Sequence, residues 1–198
     1  MGYVHRYTET EVSKILKDSE GSPTTPGGAT GHAEGLHELQ SVGRGRASTS
    51  ETALLDRAVE ERKEAVGAFD GSQVAAITWA LNTQAGQNTL MYLNGQKVAY
   101  VFAEIDVSSQ HFKMKSAVAN VPKAYDPDKD KTVKASGPIQ QPVIQAQTVA
   151  VVCMKLIPLR GQLHIRTAFP MSAQSAKGQH AECYYVADGG MPQQDIPI

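Results

Sequence analysis

Residues 98–103 read VAYVFA, and here the hydrophobic period of the chain changes. Val98, Tyr100 and Phe102 alternate with Ala99, Val101 and Ala103, a period of two that predicts a β-strand. The residues before this point follow a longer period. From Ser48 onward, Leu55, Ala58, Val59, Val66 and Phe69 recur close to helical spacing, and Asp56, Glu60, Arg62, Lys63 and Glu64 fill the outer face. Ser48 and Glu51 have the spacing of a capping box, in which two orphan amides are satisfied at once. The pattern predicts one helix from Ser48 to a stop at Asp70-Gly71. A second is predicted from Ser72, with Val74, Ile77 and Leu81 on one face and Trp79 nearby.

Working outward, Asn82–Asn88 reads as a turn, and Asn94-Gly95 as a hairpin signal joining residues 89–93 to 97–105. Three more strands are predicted at about 145–157, 162–169 and 180–187. Between them, residues 122–143 hold four prolines, a glycine and the run DPDKDK, which reads as a long loop. Toward the amino terminus, DSEGSPTTPGGATG at 18–31 reads as a linker. Before it, Val12, Ile15 and Leu16 mark a short helical stub suited to attachment or targeting. The expected fold class is α+β, with N-terminal helices packed on a small antiparallel β-sheet. The expected domains are a stub and linker at 1–27 and the domain proper at 28–198.

The chain has 198 residues, of which 41% are hydrophobic and 20% charged, a composition that suits one folded domain. A net charge of −1 excludes attraction of a polyanion by the molecule as a whole. A local basic patch stays open, because residues 113–134 carry six lysines and three aspartates. Cys153 and Cys183 match no zinc-ligand spacing, and their pairing is left open by the sequence. No stretch approaches the ~18–20 apolar residues of a membrane helix, and MGYVHRYTETEV has no apolar signal core. Export is therefore expected to depend on another domain or a dedicated machine.

Chemistry concentrates in a few places. Gly31-His32-Ala33-Glu34-Gly35-Leu36-His37 sets two histidines five residues apart, about 140° around a helix, so they do not form a helical metal pair. Histidine is nonetheless the side chain best suited to proton transfer near neutral pH. Cleavage of RNA by its own 2′-hydroxyl needs a base for that hydroxyl, an acid for the leaving 5′-oxygen and a donor or cation for the phosphorane. Arg44 and Arg46 follow in the glycine-rich VGRGRA, where backbone can approach a phosphate. In QLHIRTAFP, strand alternation places Leu163, Ile165, Thr167 and Phe169 on one face and His164, Arg166 and Ala168 on the other. Thr167 then offers a hydroxyl to a phosphate. His111, Lys113 and Lys115 alternate as a basic edge, and Tyr184 and Tyr185 read as packing residues. Each feature also has a plain structural explanation: capping or surface histidines, a strand threonine, lysines guarding an edge.

Taken in order, four blocks resemble a known family. GHAEGLH resembles the paired-histidine motif that opens the ribonuclease A-like toxin domain of bacterial contact-dependent inhibition proteins. RASTSETALLDRAVEERKEA looks like that family's next block, VAAITWAL like its tryptophan-bearing stretch, and VAVVCMKL with LHIRTAFP like its closing hairpin. The resemblance covers roughly residues 28–172, and its specificity lies in the order of the blocks. It implies a barnase–EndoU–colicin–RelE-like fold and a metal-independent endoribonuclease without cofactor. It also implies an RNA substrate, tRNA among the candidates, a cognate immunity protein, and delivery into a target cell by a larger toxin protein or secretion machinery. Carried over by residue, it implies His37 as the catalytic histidine and His32 as second candidate or companion. Arg44 or Arg46 would hold the phosphate, and Thr167 would donate to it. Phe169 stands where the family uses a tyrosine, which leaves substrate stacking as its role. The chain departs from the family in its 122–143 insertion and in the 28 residues after Pro170.

Two other readings compete. An ADP-ribosyltransferase would use a Ser-Thr-Ser strand and a downstream Glu-x-Glu. Ser48-Thr49-Ser50 is present, but it precedes a predicted helix and no Glu-x-Glu follows. A non-catalytic interaction domain would keep the fold and need neither histidine.

Overall fold

In the computed structural model, which describes residues 5–22, 31–39, 48–95, 98–159, 161–176, 183–187 and 192–195, the chain is α+β. Its first helix, α1 (Glu9–Ser19), opens with a full capping box: the Glu11 amide donates to the Thr8 hydroxyl, and the Thr8 amide to Glu11 Oε2 at 2.7 Å. Val12 and Leu16 are buried in the same core as Ile77, Leu81, Ile165 and Ala168. The segment expected as a stub ahead of the domain is thus packed into its core. The short helix α2 (Ala33–His37) follows, and then α3 (Glu51–Glu60).

The helix expected over 48–70 differs at both ends. Ser50, not Ser48, is the N-cap, its hydroxyl accepting from the Ala53 amide at 3.1 Å. The helix ends at Glu60, where Arg62 takes a left-handed conformation with φ 48 and the Lys63 amide returns to the Ala58 carbonyl at 3.0 Å. Val66 and Phe69 then lie on a strand, β1 (Ala65–Phe69). Its partner supplies the reason: β1 runs antiparallel to residues 114–118, from Ala65↔Val118 to Phe69↔Met114, a pairing that local periodicity does not record.

Next comes α4 (Gln73–Asn82), with Ile77 and Leu81 buried as expected. The turn and hairpin expected after it are instead a helix, α5 (Gln84–Gly95). Thr83 Oγ1 accepts from the Gly86 amide at 3.1 Å, and Leu90 and Leu93 are buried in the core. Asn94 and Gly95 are the last two residues of this helix.

The strands that follow are β2 (Val98–Asp106), β3 (Lys113–Val118), β4 (Lys123–Asp126), β5 (Lys131–Lys134), β6 (Val143–Thr148), β7 (Val151–Leu159), β8 (Gln162–Met171), β9 (Cys183–Ala187) and β10 (Pro192–Asp195). They form three antiparallel sheets: a five-stranded sheet ordered β10-β9-β2-β7-β8, a three-stranded sheet ordered β1-β3-β6, and the hairpin β4-β5 inside the expected loop. The single strand expected at 145–157 is therefore two. Val149 and Ala150 carry the chain from the smaller sheet to the larger, their amides donating to Phe112 O and Met171 O at 2.8 Å each. The expected basic edge at 113–115 lies on β3, the middle strand of its sheet.

Two apolar cores result. One joins α1, α4, α5 and the inner face of the five-stranded sheet, and the other joins α3 to the three-stranded sheet through Leu54, Ala58, Val66 and Ala117. Among the described residues, no helix is long and apolar enough to cross a membrane.

Candidate functional site

A cleft of about 990 Å³ is lined from both sheets, by β1 and β3 on one side and β8 and Glu104 of β2 on the other. His32, His37 and Arg57 also line it.

The outer edge of β8 carries the histidine segment. β8 ends its sheet, and that edge is covered: the Arg166 carbonyl accepts from the His32 amide at 2.9 Å, and the Ile165 amide donates to Ser19 Oγ at 3.1 Å. Gly31 permits the approach, since a Cβ there would sit 2.0 Å from the Ser19 carbonyl oxygen. The buried Gln73 side chain donates to the Ala33 carbonyl at 2.8 Å, and the Leu39 amide to Phe69 O at 2.9 Å, so α2 is held at both ends.

A β-bulge sets the other wall. Leu156 pairs with Ile165 but Lys155 pairs with Thr167, which leaves Arg166 as the extra residue. The expected alternation through Leu163, Ile165, Thr167 and Phe169 is broken there. Ile165 and Ala168 face the core, while Thr167 and Phe169 line the cleft. One inserted residue exchanges the faces of everything beyond it.

The site thus brings together four of the six residues singled out from the sequence: His32, His37, Thr167 and Phe169. The His32 and His37 ring centroids are 6.0 Å apart, those of His37 and Phe169 5.5 Å, and those of Phe169 and Phe102 6.5 Å. Arg44 and Arg46 lie outside the described residues.

His37 is 8% exposed, and its Nδ1 is buried without a hydrogen-bond partner. Burial first, then the Arg57 guanidinium, press its pKa from 6.5 down to about 3, while a hydrogen bond with the Gly67 backbone works in the opposite direction. The ring is therefore neutral at pH 7. Cys153 is a buried free thiol, its Sγ 3.2 Å from Met171 Sδ; burial pushes its pKa up, which suppresses the thiolate a nucleophile needs. Lys155 lies over the Tyr100 ring at 3.5 Å, and desolvation, then Arg166, lowers its pKa. Among the described residues no three His, Cys, Asp or Glu side chains are grouped to hold a metal ion.

No protein-family profile, curated protein or solved structure matches the chain.

Sequence reasoning passed over Arg57, Lys63 and Glu104, which also line the cleft. A signal for Arg57 was present, because it lies one helical turn from buried Leu54 and beside buried Ala58, at the border of the apolar face of α3. Glu104 alternates with buried Ala103 and Ile105 and so projects from the opposite face of β2. The Ser48-Thr49-Ser50 triplet forms no strand: Thr49 makes one isolated bridge with Leu39, and Ser50 caps α3.

Proposed function

We propose that this chain is a metal-independent endoribonuclease toxin domain that cleaves RNA by attack of its 2′-hydroxyl on the adjacent phosphate. One observation carries the reading. His32 and His37, from one end of the chain, meet Thr167 and Phe169, from the other, on a single cleft. A proton-transfer pair and a hydroxyl donor are parts that this reaction requires, and an aromatic face can stack a base.

The roles follow from the surroundings. His37 is neutral and lines the cleft, which suits it to the role of proton acceptor. It takes the 2′-hydroxyl proton, the 2′-oxygen bonds to phosphorus, and the bond from phosphorus to the 5′-oxygen breaks. The departing oxygen takes a proton from His32, leaving a 2′,3′-cyclic phosphate. Thr167 donates a hydrogen bond to a non-bridging oxygen as charge builds there, and Phe169 stacks on a flanking base. A base with so low a pKa accepts a proton poorly, and a phosphate anion placed near Arg57 raises its affinity by cancelling the guanidinium's field. The helices and small antiparallel sheets support the barnase–EndoU–colicin–RelE-like assignment. Such an activity requires an immunity protein in the producing cell and a carrier for delivery.

The burial of His37 favours a second reading, a non-catalytic interaction domain in which the ring is a packing residue. Incubation of the purified chain with total RNA and tRNA in excess EDTA decides between the two. Cleavage leaving 2′,3′-cyclic ends is expected. It should drop about 10²–10⁴-fold in His37→Ala and about 10²-fold in Thr167→Val, with both variants folded by circular dichroism. Full activity of folded His37→Ala would overturn the assignment. No cleavage by the wild type would favour the interaction domain, with labelled NAD as the next substrate to exclude ADP-ribosyl transfer.

A further inference from the structure

We propose that Arg57, with Lys63 beside it, forms an anion site that holds a phosphate group against His37 in this cleft. Neither residue is singled out by the sequence, which leaves the phosphate to Arg44 or Arg46, and the ribonuclease reading uses Arg57 only for its field on His37.

The geometry fixes the guanidinium without exhausting it. Arg57 Nε donates to Glu61 Oε1 at 3.2 Å, and Nη1 donates to the Leu36 carbonyl at 3.3 Å. Of the five N–H donors of a guanidinium, these contacts use two and leave three. Leu36 precedes His37 on α2, so the contact ties the cation to the helix that carries the histidine. The Arg57 side chain is only 18% exposed, and in such surroundings its field acts more strongly than in water.

The local charge is unbalanced. Glu61 engages Arg57 through one carboxylate oxygen and the Lys63 ammonium through the other, so a single negative charge faces two positive ones. Glu64, next in the chain, is paired with Lys123 at 2.6 Å. Both cations line the cleft, and so does His37, whose buried Nδ1 has no partner. A phosphate supplies acceptor oxygens for the remaining guanidinium donors and a second negative charge beside that of Glu61, and arginine's planar fork matches it in two-point contact. The backbone contributes as well. Arg62 in its left-handed conformation ends α3, and its guanidinium donates to the Gly137 carbonyl at 3.0 Å, which pins the turn that brings Lys63 beside Glu61.

In the ribonuclease reading, on which the identity of the anion rests, the occupant is the scissile phosphodiester. The test begins with inorganic phosphate, titrated at low ionic strength into the folded wild type, Arg57→Ala and Arg57→Lys, by calorimetry and by the His37 ring resonances. Phosphate should shift those resonances in the wild type. Arg57→Ala should weaken binding at least tenfold and abolish the shift. Arg57→Lys should fall between, because an ammonium keeps the charge but loses the fork. Should Arg57→Ala fail to fold, Arg57→Lys carries the comparison. Unchanged phosphate affinity in a folded Arg57 variant would overturn the anion site, even in a preparation that cuts RNA. A second arm uses an uncleavable 2′-deoxy tetranucleotide, which should displace phosphate. Phosphate binding that depends on Arg57 but resists this competitor would keep the anion site and overturn the phosphodiester as its occupant.

Discussion

Lowering the pH from 7 to 5 should destabilise this protein through His37 in particular. In the folded chain, burial and then the Arg57 guanidinium hold the imidazole at about 3. In the unfolded chain the ring returns to its ordinary value of about 6.5. The unfolded state therefore takes up a proton that the folded state refuses. Its contribution to stability is intact above the unfolded value and is lost progressively as pH falls from there toward the folded value. At pH 5 the ring lies about 1.5 units below its unfolded pKa, and at ~1.4 kcal/mol per unit the loss is about 2 kcal/mol. Carboxylates such as Glu11 and Glu61, lowered by the Thr8 backbone amide and the Lys63 ammonium respectively, add a pH dependence of their own on the acid side. A comparison with His37→Gln, which cannot titrate, removes that background. Urea unfolding followed by circular dichroism at both pH values is the assay. The wild type should lose about 2 kcal/mol more than the variant, or a midpoint difference of about 1 M urea for a slope of ~2 kcal/mol/M. Equal losses in the two proteins would refute the reasoning, since they would mean that the folded ring accepts its proton freely.

Four further substitutions test the architecture around the site. Gly31→Ala places a methyl against the Ser19 carbonyl and should cost about 3 kcal/mol, read as a lower melting temperature; an unchanged melt would show that the approach is not tight. Leu16→Ala should cost about 3 kcal/mol in denaturant unfolding because its side chain is fully buried, whereas a detached stub would show almost no change. Ser50→Ala should cost about 1 kcal/mol while Ser48→Ala costs little, since only Ser50 caps the Ala53 amide in α3; the reverse order would restore the cap expected from the sequence.

The sequence by itself determined the α+β class, because period is a local property: the helical spacing after Ser48 and Ser72 and the alternation after Val98 each reflect one element's own geometry. It also singled out four residues that share the cleft, because the chemistry of histidine, threonine and phenylalanine is carried by the side chain itself. Tertiary structure alone decided the rest. AVGAF at 65–69 continues a helical pattern yet becomes a strand because β3 lies beside it. Asn94-Gly95 serves a helix end as readily as a hairpin, and Leu90 and Leu93, buried against the core, decide in favour of the helix. The bulge at Arg166 has no mark in QLHIRTAFP; it exists because β7 and β8 pair with one residue to spare, and it turns Thr167 and Phe169 toward the histidines. Arg57 enters the cleft for the same reason, carried there by the packing of Leu54 and Ala58 on the smaller sheet, since the direction a side chain faces is settled by what its neighbours bury.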